Sequence, residues 1–426
     1  MREMKDSGVA WIGEIPKEWE ITQLKHISHI QTGSTPTKEK QNEYYSDESG
    51  IPWIKAENLD SFEPIVSTKE YLTEEGKAVG KIFPENTIFV CCIASVGKVG
   101  FANIPCSCNQ QINGITFNDK MNWKYGFYLT ISQEELYNVY ASGNVMRILN
   151  TERQSNLICT VPPLSEQQKI AALLDKKCTQ IDTLISNQQQ QIEKLKAYKQ
   201  SLITEVVTKG LNPDVPMKDS GVEWIGEIPE SWEISRIKNL FSLRNEKNYE
   251  SDLSKVNLIS LYTDLGVIQH SDIVETTGNR AVTAEGYKIV HEDDIVVNII
   301  LCWMGAVGRS AYNGVTSPAY DIYKPKPDTY SKYYHYLFRT NRFNGECYKY
   351  GRGIMMMRWR TYSTEFTAIN IPVPPIDEQK QIVEHLDKKC SEIDSLIAIK
   401  QQKIEKLQQY KKSVIYEYVT GKKGVE

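Results

Sequence analysis

The sequence predicts an α+β fold with a duplicated, pseudo-twofold design: two mixed α/β domains separated by two long helices. Three observations predict it. Asp6 to Ile27 (DSGVAWIGEIPKEWEITQLKHI) recurs at Asp219 to Leu240 (DSGVEWIGEIPESWEISRIKNL) with 14 of 22 positions identical. Val161 to Cys178 (VPPLSEQQKIAALLDKKC) recurs at Val373 to Cys390 (VPPIDEQKQIVEHLDKKC) with 11 of 18 identical. After each second segment apolar residues return near heptad spacing, the mark of a helix that packs on another helix. The offsets of 213 and 212 residues make one unit about half the chain. That is far longer than a solenoid repeat and points to duplication of whole domains, which usually pair about a pseudo-twofold axis.

Each unit opens with two tryptophans, Trp11 and Trp19 or Trp224 and Trp232, read here as a packing clasp. The next segments, residues 28–160 and 241–372, are rich in Gly, Thr, Tyr, Val and Ile in short runs such as Thr87-Ile-Phe-Val and Asp294-Ile-Val-Val. They read as strand and loop with few long helices. Weak correspondence survives between them, Ser95-Val-Gly-Lys98 matching Ala306-Val-Gly-Arg309. The Pro-Pro pairs then introduce the helices, with Ser165 and Asp377 placed as N-caps. The apolar seam runs through Leu174, Ile181, Ile185, Ile192, Leu195 and Leu202, mirrored by Leu386, Ile393, Ile397, Ile404, Leu407 and Val414. Gln188, Lys199, Lys400 and Lys411 interrupt it, and Gly210 and Gly421 end it. A helix of roughly 45 residues is about 65 to 70 Å long, too long to bury its stripe in a small domain. Its own copy is the simplest partner.

Composition narrows the function. With 426 residues, 24% charged and 40% hydrophobic, the chain is globular, and disordered and fibrous classes are excluded. The start lacks a signal-peptide stretch and the longest apolar run, Ile295 to Val307, is interrupted by Asn298, so a soluble, cytoplasmic protein with no membrane partner is expected. Nine cysteines, an odd number, suit reduced thiols better than a disulfide framework. Net charge is −5 over residues 1–160, +2 over 161–210, −2 over 211–372 and +1 over 373–426. Any contact with nucleic acid must therefore come from local clusters.

Catalytic patterns are missing. There is no glycine-rich cofactor loop and no Asn/Asp-Pro-Pro-aromatic tetrad, and Gly351-Arg-Gly353 lacks the third glycine of a dinucleotide fingerprint. Pro213-Asp214 and Pro327-Asp328 have no usable Glu-x-Lys after them, and Glu292-Asp293-Asp294 reads as a solvated turn. His26-x-x-His29 and Cys106-x-Cys108 have no second pair at zinc spacing, so no metal is expected. Nothing supports acyl transfer. The chain reads as non-catalytic, with no cofactor of its own.

Binding signals are stronger. Between Lys324 and Arg360 stand Lys324, Lys326, Lys332, Arg339, Arg342, Lys349, Arg352, Arg358 and Arg360, against only Asp328 and Glu346. Aromatics interleave with them, among them Tyr333, Tyr334, Tyr336, Tyr348 and Trp359. Such cations neutralise phosphates, and Arg can also pair with a guanine edge. The first unit offers Lys38, Lys40, Lys55, Lys98, Arg147 and the amide run Asn109, Gln110, Gln111, Asn113. Amides suit the donor and acceptor pair of adenine. The bland reading is that the aromatics are core and the amides belong to a turn.

The repeated WIGEIP and W-E-I openings, Gly50-Ile-Pro-Trp-Ile-Lys55, Asn109-Gln-Gln-Ile-Asn113, Ser317-Pro-Ala-Tyr320 and the two PP-x-x-EQ helix starts together resemble the DNA-specificity subunit of type I restriction-modification enzymes, over essentially the whole chain. The resemblance implies target-recognition domains at 1–160 and 211–372. It implies conserved long helices at 161–210 and 373–426, forming an antiparallel coiled coil as spacer. Each domain would read one half of a bipartite, asymmetric site in double-stranded DNA. Two modification subunits would bring S-adenosylmethionine, and restriction subunits, where present, ATP and Mg. Arg309, Ser317 and Tyr320 complete the DNA-binding candidates. A duplicated coiled-coil adaptor that never touches DNA is the alternative, and a fused methyltransferase with an unfamiliar cofactor site is a third.

Overall fold

The structure, a computed structural model, describes residues 2–60, 62–143, 147–272, 283–353 and 359–425, with the side chain of Lys38 outside the description. Contacts divide the chain into two compact units, Met1–Gln189 with Gln402–Glu426, and Gln190–Gln401. This differs from the four-segment division expected above, which treats each helix as a body of its own. The reason is the apolar stripe: each long helix buries one end in each unit.

The first unit is built on an antiparallel sheet of β1 (Ser28–Thr32), β2 (Thr87–Cys91), β3 (Val99–Ala102) and β4 (Ile112–Phe117), in the order β3-β2-β4-β1. Its strands are rich in β-branched and aromatic residues that pack on a pleated surface. Helix α1 (Trp123–Ser132) follows, capped by the Asn122 side chain. A five-stranded mixed sheet that includes Ile51–Ile54 and Cys106–Cys108 completes the unit. The long helix α2 (Leu164–Lys209) follows the strand Ile158–Val161 in the chain.

The second unit repeats the main sheet with β5 (Phe241–Arg244), β6 (Ile295–Asn298), β7 (Val307–Arg309) and β8 (Tyr320–Pro325), in the matching order β7-β6-β8-β5. Helices α3 (Ser331–Phe338) and α4 (Asn341–Tyr350) follow, and the second long helix is α5 (Ile376–Val419). Here a hairpin, Ile259–Tyr262 with Gly266–Gln269, and a separate antiparallel pair, Lys288–Val290 with Gly314–Thr316, take the place in chain order of the first unit's second sheet. The duplicated scaffold thus carries different accessory strands.

The helices begin one residue earlier than the caps assigned from sequence. The carbonyls of Pro163 and Pro375 accept from Gln167 and Gln379, so the prolines, with φ already helical, open the first turn and Ser165 and Asp377 lie inside it. Both helices end at a glycine in the left-handed region, Gly210 at φ +79° and Gly421 at φ +73°, as a C-terminal cap requires. In each unit the two long helices run antiparallel. Lys199 Nζ meets Asp394 at 2.7 Å and Lys400 reaches Gln191 in the second unit. In the first, Lys411 meets Asp182 at 2.7 Å while the Val419 carbonyl accepts from Thr160 Oγ1 at 2.6 Å. The three lysines that interrupt the heptads are therefore cross-helix contacts, and the same Lys-Asp pair forms once in each unit with the helices' roles exchanged.

Of the seam residues, Leu174, Ile181, Ile192, Leu386, Ile393, Ile404 and Val414 are buried, and Ile185, Leu195, Leu202, Ile397 and Leu407 are half-buried. Near the helix ends burial moves to Ile170, Ile203, Val207, Ile382 and Ile415, which join the domain cores. Among the described residues no helix is long and apolar enough to cross a membrane.

Candidate functional site

In the first unit three loops distant in sequence meet at one edge of the main sheet. The turn 109–111 leads into β4, residues 92–98 join β2 to β3, and an isolated antiparallel bridge pairs Ser142 with Ile148. Backbone bonds stitch them together: Cys92 N–H to the Gln111 carbonyl at 2.8 Å, Leu149 N–H to the Cys92 carbonyl at 2.9 Å, and Ala94 N–H to the Arg147 carbonyl at 3.3 Å. The second unit builds the same edge. Residues 317–319 lead into β8, residues 299–306 join β6 to β7, and Arg352 and Arg360 pair as an isolated antiparallel bridge through two 2.9 Å bonds. The Thr361 N–H donates to the Ile299 carbonyl at 2.8 Å, matching the Leu149 to Cys92 bond. Loops that converge on a rigid sheet are where binding residues are usually carried.

The candidates distribute unevenly over this edge. In the first unit Gln110 is exposed and touches Thr35, Gln111 is half-buried, and Arg147 is exposed with a 3.5 Å bond to the Asn138 carbonyl. The Asn109 side chain accepts from Gln111 N–H at 3.1 Å and so shapes the turn. Asn113 does not reach the surface. It is fully buried, its amide donates to Gln154 at 2.7 Å and to the Leu149 carbonyl at 3.3 Å, and its oxygen accepts from Thr32 at 2.8 Å. The residue alternates inward from the exposed turn and ties β4 to β1. Lys98 pairs with Asp60 at 3.0 Å, a bond that raises its pKa. Lys55 pairs with Glu70 and lies 4.9 Å over the Trp53 ring, while Lys40 is exposed and paired with Glu43 at 3.1 Å. Lys38 sits in the 38–40 turn.

In the second unit the linear basic cluster separates into two sets. Lys332 pairs with Asp387 at 2.5 Å, and Arg339 donates to the carbonyls of Val307, Thr263 and Asp264 at 3.3, 3.0 and 2.7 Å. Burial lowers the Arg339 pKa. Both side chains hold the domain together. Arg309 likewise holds Asp293 at 2.5 Å and Glu292 at 3.5 Å. Of the acidic run, Glu292 and Asp293 are 60% and 50% exposed at their side chains, while Asp294, 1% exposed, is held by Arg244 at 2.8 Å. Lys326 caps the Lys238 carbonyl at 2.7 Å, and Lys349 lies near Glu223 and Glu346 at 3.6 and 3.7 Å. Lys324, Arg342 and Arg360 are exposed, and no side-chain hydrogen bond or ion pair engages them among the described residues. Arg352, 75% exposed at its side chain, meets Glu365 at 2.9 Å. Ser317 and the half-buried Tyr320 shape the turn into β8. Arg358 lies outside the described residues.

Sequence reasoning read Trp19 and Trp232 as a packing clasp but missed the helix residues on which they and their neighbours dock. Trp19 and Trp232, both fully buried, donate from Nε1 to Glu166 at 3.0 Å and Glu378 at 2.8 Å. Gln167 accepts from Asn122 N–H at 2.7 Å and donates to the Pro162 carbonyl at 2.8 Å, and Gln379 does the same with Tyr330 and Pro374. The repeated EQ pair is therefore structural. Tyr128 and Tyr336 donate to Asp175 and Asp387 at 2.8 and 2.7 Å. The shared spacing of these residues in both halves was the available signal. The cations around Arg309 also explain His335. Burial first, then Arg339, Arg309 and Lys332, push its imidazole down to about 3, and its Nδ1 accepts from Arg309 N–H at 3.1 Å.

Comparison with known proteins supplies a family. The model described as Type I restriction modification DNA specificity domain matches twice, over residues 16–194 and 229–409. The chain is similar to the putative type I restriction enzyme MjaX specificity subunit of Methanocaldococcus jannaschii, 25% identical over 96% of this chain and 95% of that one. The MjaVIII specificity subunit of the same organism is also 25% identical, over 96% and 93%. Among solved structures, a chain from a study of complex assembly and conformational transition of the type I R-M system superposes with TM-score 0.68 at 14% identity, covering 95% of this chain and 98% of that one. The HsdS subunit from Thermoanaerobacter tengcongensis superposes with TM-score 0.50 at 15% identity, over 96% and 98%.

Proposed function

The chain belongs to the type I restriction modification DNA specificity family, and from that membership we propose how its parts divide the work. It is a DNA sequence-specificity subunit and is not itself an enzyme. Each unit reads one half of a bipartite, asymmetric DNA site through its three-loop edge, and the paired helices set the spacing of the half-sites. The observation that carries this reading is the edge itself, built twice on one sheet topology with unlike residues: Gln110, Gln111 and Arg147 in one unit, Arg352, Trp359 and Arg360 in the other. Like scaffolds with unlike surfaces suit two unlike half-sites. Arginines at the edge contact phosphates or guanine, and the amides contact adenine.

Two modification subunits dock on the helices, bringing S-adenosylmethionine, and restriction subunits bring ATP and Mg. The docking surface is supported by large apolar residues exposed on the helices. Leu184 and Tyr410 belong to the first unit, Tyr198 and Leu396 to the second, and all four are 46% to 57% exposed. Leu184 with Leu396 and Tyr198 with Tyr410 are equivalent positions of the duplication, so the same kind of patch occurs in each unit and suits two copies of one partner.

The test is titration of the complex with modification subunits on a duplex carrying its methylated motif. Binding should weaken steeply with salt, and Arg352→Ala with Arg360→Ala should weaken it further. Salt-insensitive binding, or variants that bind as the parent does, would overturn the assignment of the edge.

A further inference from the structure

Two large apolar side chains stand in water at the reading edge of the second unit. Leu301 is 37% and Met304 50% exposed, both in the loop between β6 and β7. The loop is rigid. Asn298 Oδ1 accepts from the N–H groups of Ile300 at 3.0 Å and Leu301 at 3.3 Å, and the Trp303 indole donates to the Ile300 carbonyl at 3.0 Å. Gly305 closes the turn at φ +89°, a conformation side chains rarely adopt. From below, the Trp303 ring packs on Tyr348 at 5.7 Å, and Tyr348 stacks on Trp359 at 4.9 Å. Trp359 leads directly into Arg360, whose backbone pairs with Arg352.

Holding apolar groups rigidly in water gains the fold nothing, and Met is suited to adaptable contacts. The segment carrying Arg352 and Arg360 is tied to this loop by the Thr361 to Ile299 backbone bond, and guanidinium groups on it suit a phosphate-lined groove. The major groove offers one apolar group on its base edges, the C5-methyl of thymine. We infer that the Leu301–Met304 turn reads a thymine methyl group in the half-site bound by the second unit. The inference rests on the DNA-reading assignment of this edge. It also separates the two units. The matching loop of the first unit exposes Ala94 and Ser95 and no large apolar side chain, and the exposed apolar residue at that edge, Ile148 at 43%, stands on a different segment, so methyl readout by this loop belongs to one half-site.

The test uses the complex with modification subunits and a duplex carrying its methylated motif. Each thymine is replaced in turn by deoxyuridine, which removes the methyl group and keeps every hydrogen bond. One replacement, in one half-site, weakens binding about fourfold, the effect of losing one buried methyl-sized group. Met304→Ala weakens binding to the parent duplex and removes the difference between thymine and deoxyuridine, whereas Met304→Leu keeps it. An unchanged unfolding midpoint for Met304→Ala shows that the variant is folded. Neutral replacements at every thymine, or a penalty that persists undiminished in Met304→Ala and Leu301→Ala, overturn the inference. Loss of subunit assembly in Met304→Ala, with DNA discrimination intact, marks the turn as a protein contact and overturns it too. If Arg352→Ala with Arg360→Ala still weakens binding in those cases, only the methyl readout falls. If that pair is also silent, the assignment of the edge falls with it.

Discussion

Replacing Asp182 by Asn should destabilise the first unit far more than replacing Asp394 destabilises the second, although the two aspartates are equivalent positions of the duplication. Lys411 is 7% exposed, donates to both carboxylate oxygens of Asp182 at 2.7 Å, and lies 3.2 Å from the centre of the Phe62 ring. Loss of the carboxylate leaves a buried ammonium without its counter-charge. A fully buried pair broken this way costs about 3 to 5 kcal/mol. The Asp182 side chain is 45% exposed, and Phe62 keeps part of the cation's stabilisation, so about 2 kcal/mol is expected. In the second unit Lys199 and Asp394 are 28% and 57% exposed at their side chains, which places that pair among surface ion pairs worth about 1 kcal/mol or less. Thermal unfolding should show Asp182→Asn lowering Tm by roughly 4 to 8 °C and Asp394→Asn by about 3 °C or less. Pairing Asp182→Leu with Lys411→Met should recover most of the loss, because two apolar groups leave no unpaired charge. Equal shifts for the two single variants, or a double variant as poor as Asp182→Asn, would refute the reasoning.

The remaining expectations follow from named groups. Arg352→Ala with Arg360→Ala should lower the slope of log binding constant against log salt by about 2, whereas Arg339→Ala should leave the slope and instead lower the unfolding midpoint, because its donors satisfy backbone carbonyls. For Glu166, burial raises the pKa, but hydrogen bonds from Arg2 and Trp19 and the Arg2 charge outweigh it and leave the carboxyl below its usual range. Its contribution is therefore present above about pH 4.5 and lost as pH falls through the lower folded value, and Glu166→Gln should flatten that acid limb of stability. His335 has the depressed pKa of a group kept neutral in the fold. The unfolded chain takes up its proton near pH 6.5, so stability falls from there toward about pH 3. His335→Asn should reduce the pH slope of unfolding between pH 6 and 4 by about one proton, measured by denaturant titration.

Much of the scaffold was legible because duplication repeats its constraints. The Trp openings, the Pro-Pro helix starts and the terminal glycines recur at offsets of 211 to 213 residues, and they proved to sit at packed rings, helix starts and caps. The division of the helices between units was not legible, since heptad spacing says which face is buried and nothing of what covers it. At the site, counting charge along Lys324 to Arg360 overstated the free cations. Lys332 and Arg339 find partners in Asp387, Thr263 and Asp264, which only tertiary structure brings near. Asn113 failed for a simpler reason: it lies inside a strand, where the next residue faces the other way, while Gln110 and Gln111 lie in the exposed turn. The convergence of three loops at each edge depends on strand order and left no mark that a linear reading could use.

The most direct measurement is methylome sequencing of cells that express the chain with its modification subunits, carrying either the parent or Arg352→Ala with Arg360→Ala. The account predicts an interrupted, asymmetric motif in the parent and, in the variant, relaxed or lost recognition in one half while the bases of the other half keep their identity. A contiguous motif, or two halves that change together, would contradict it.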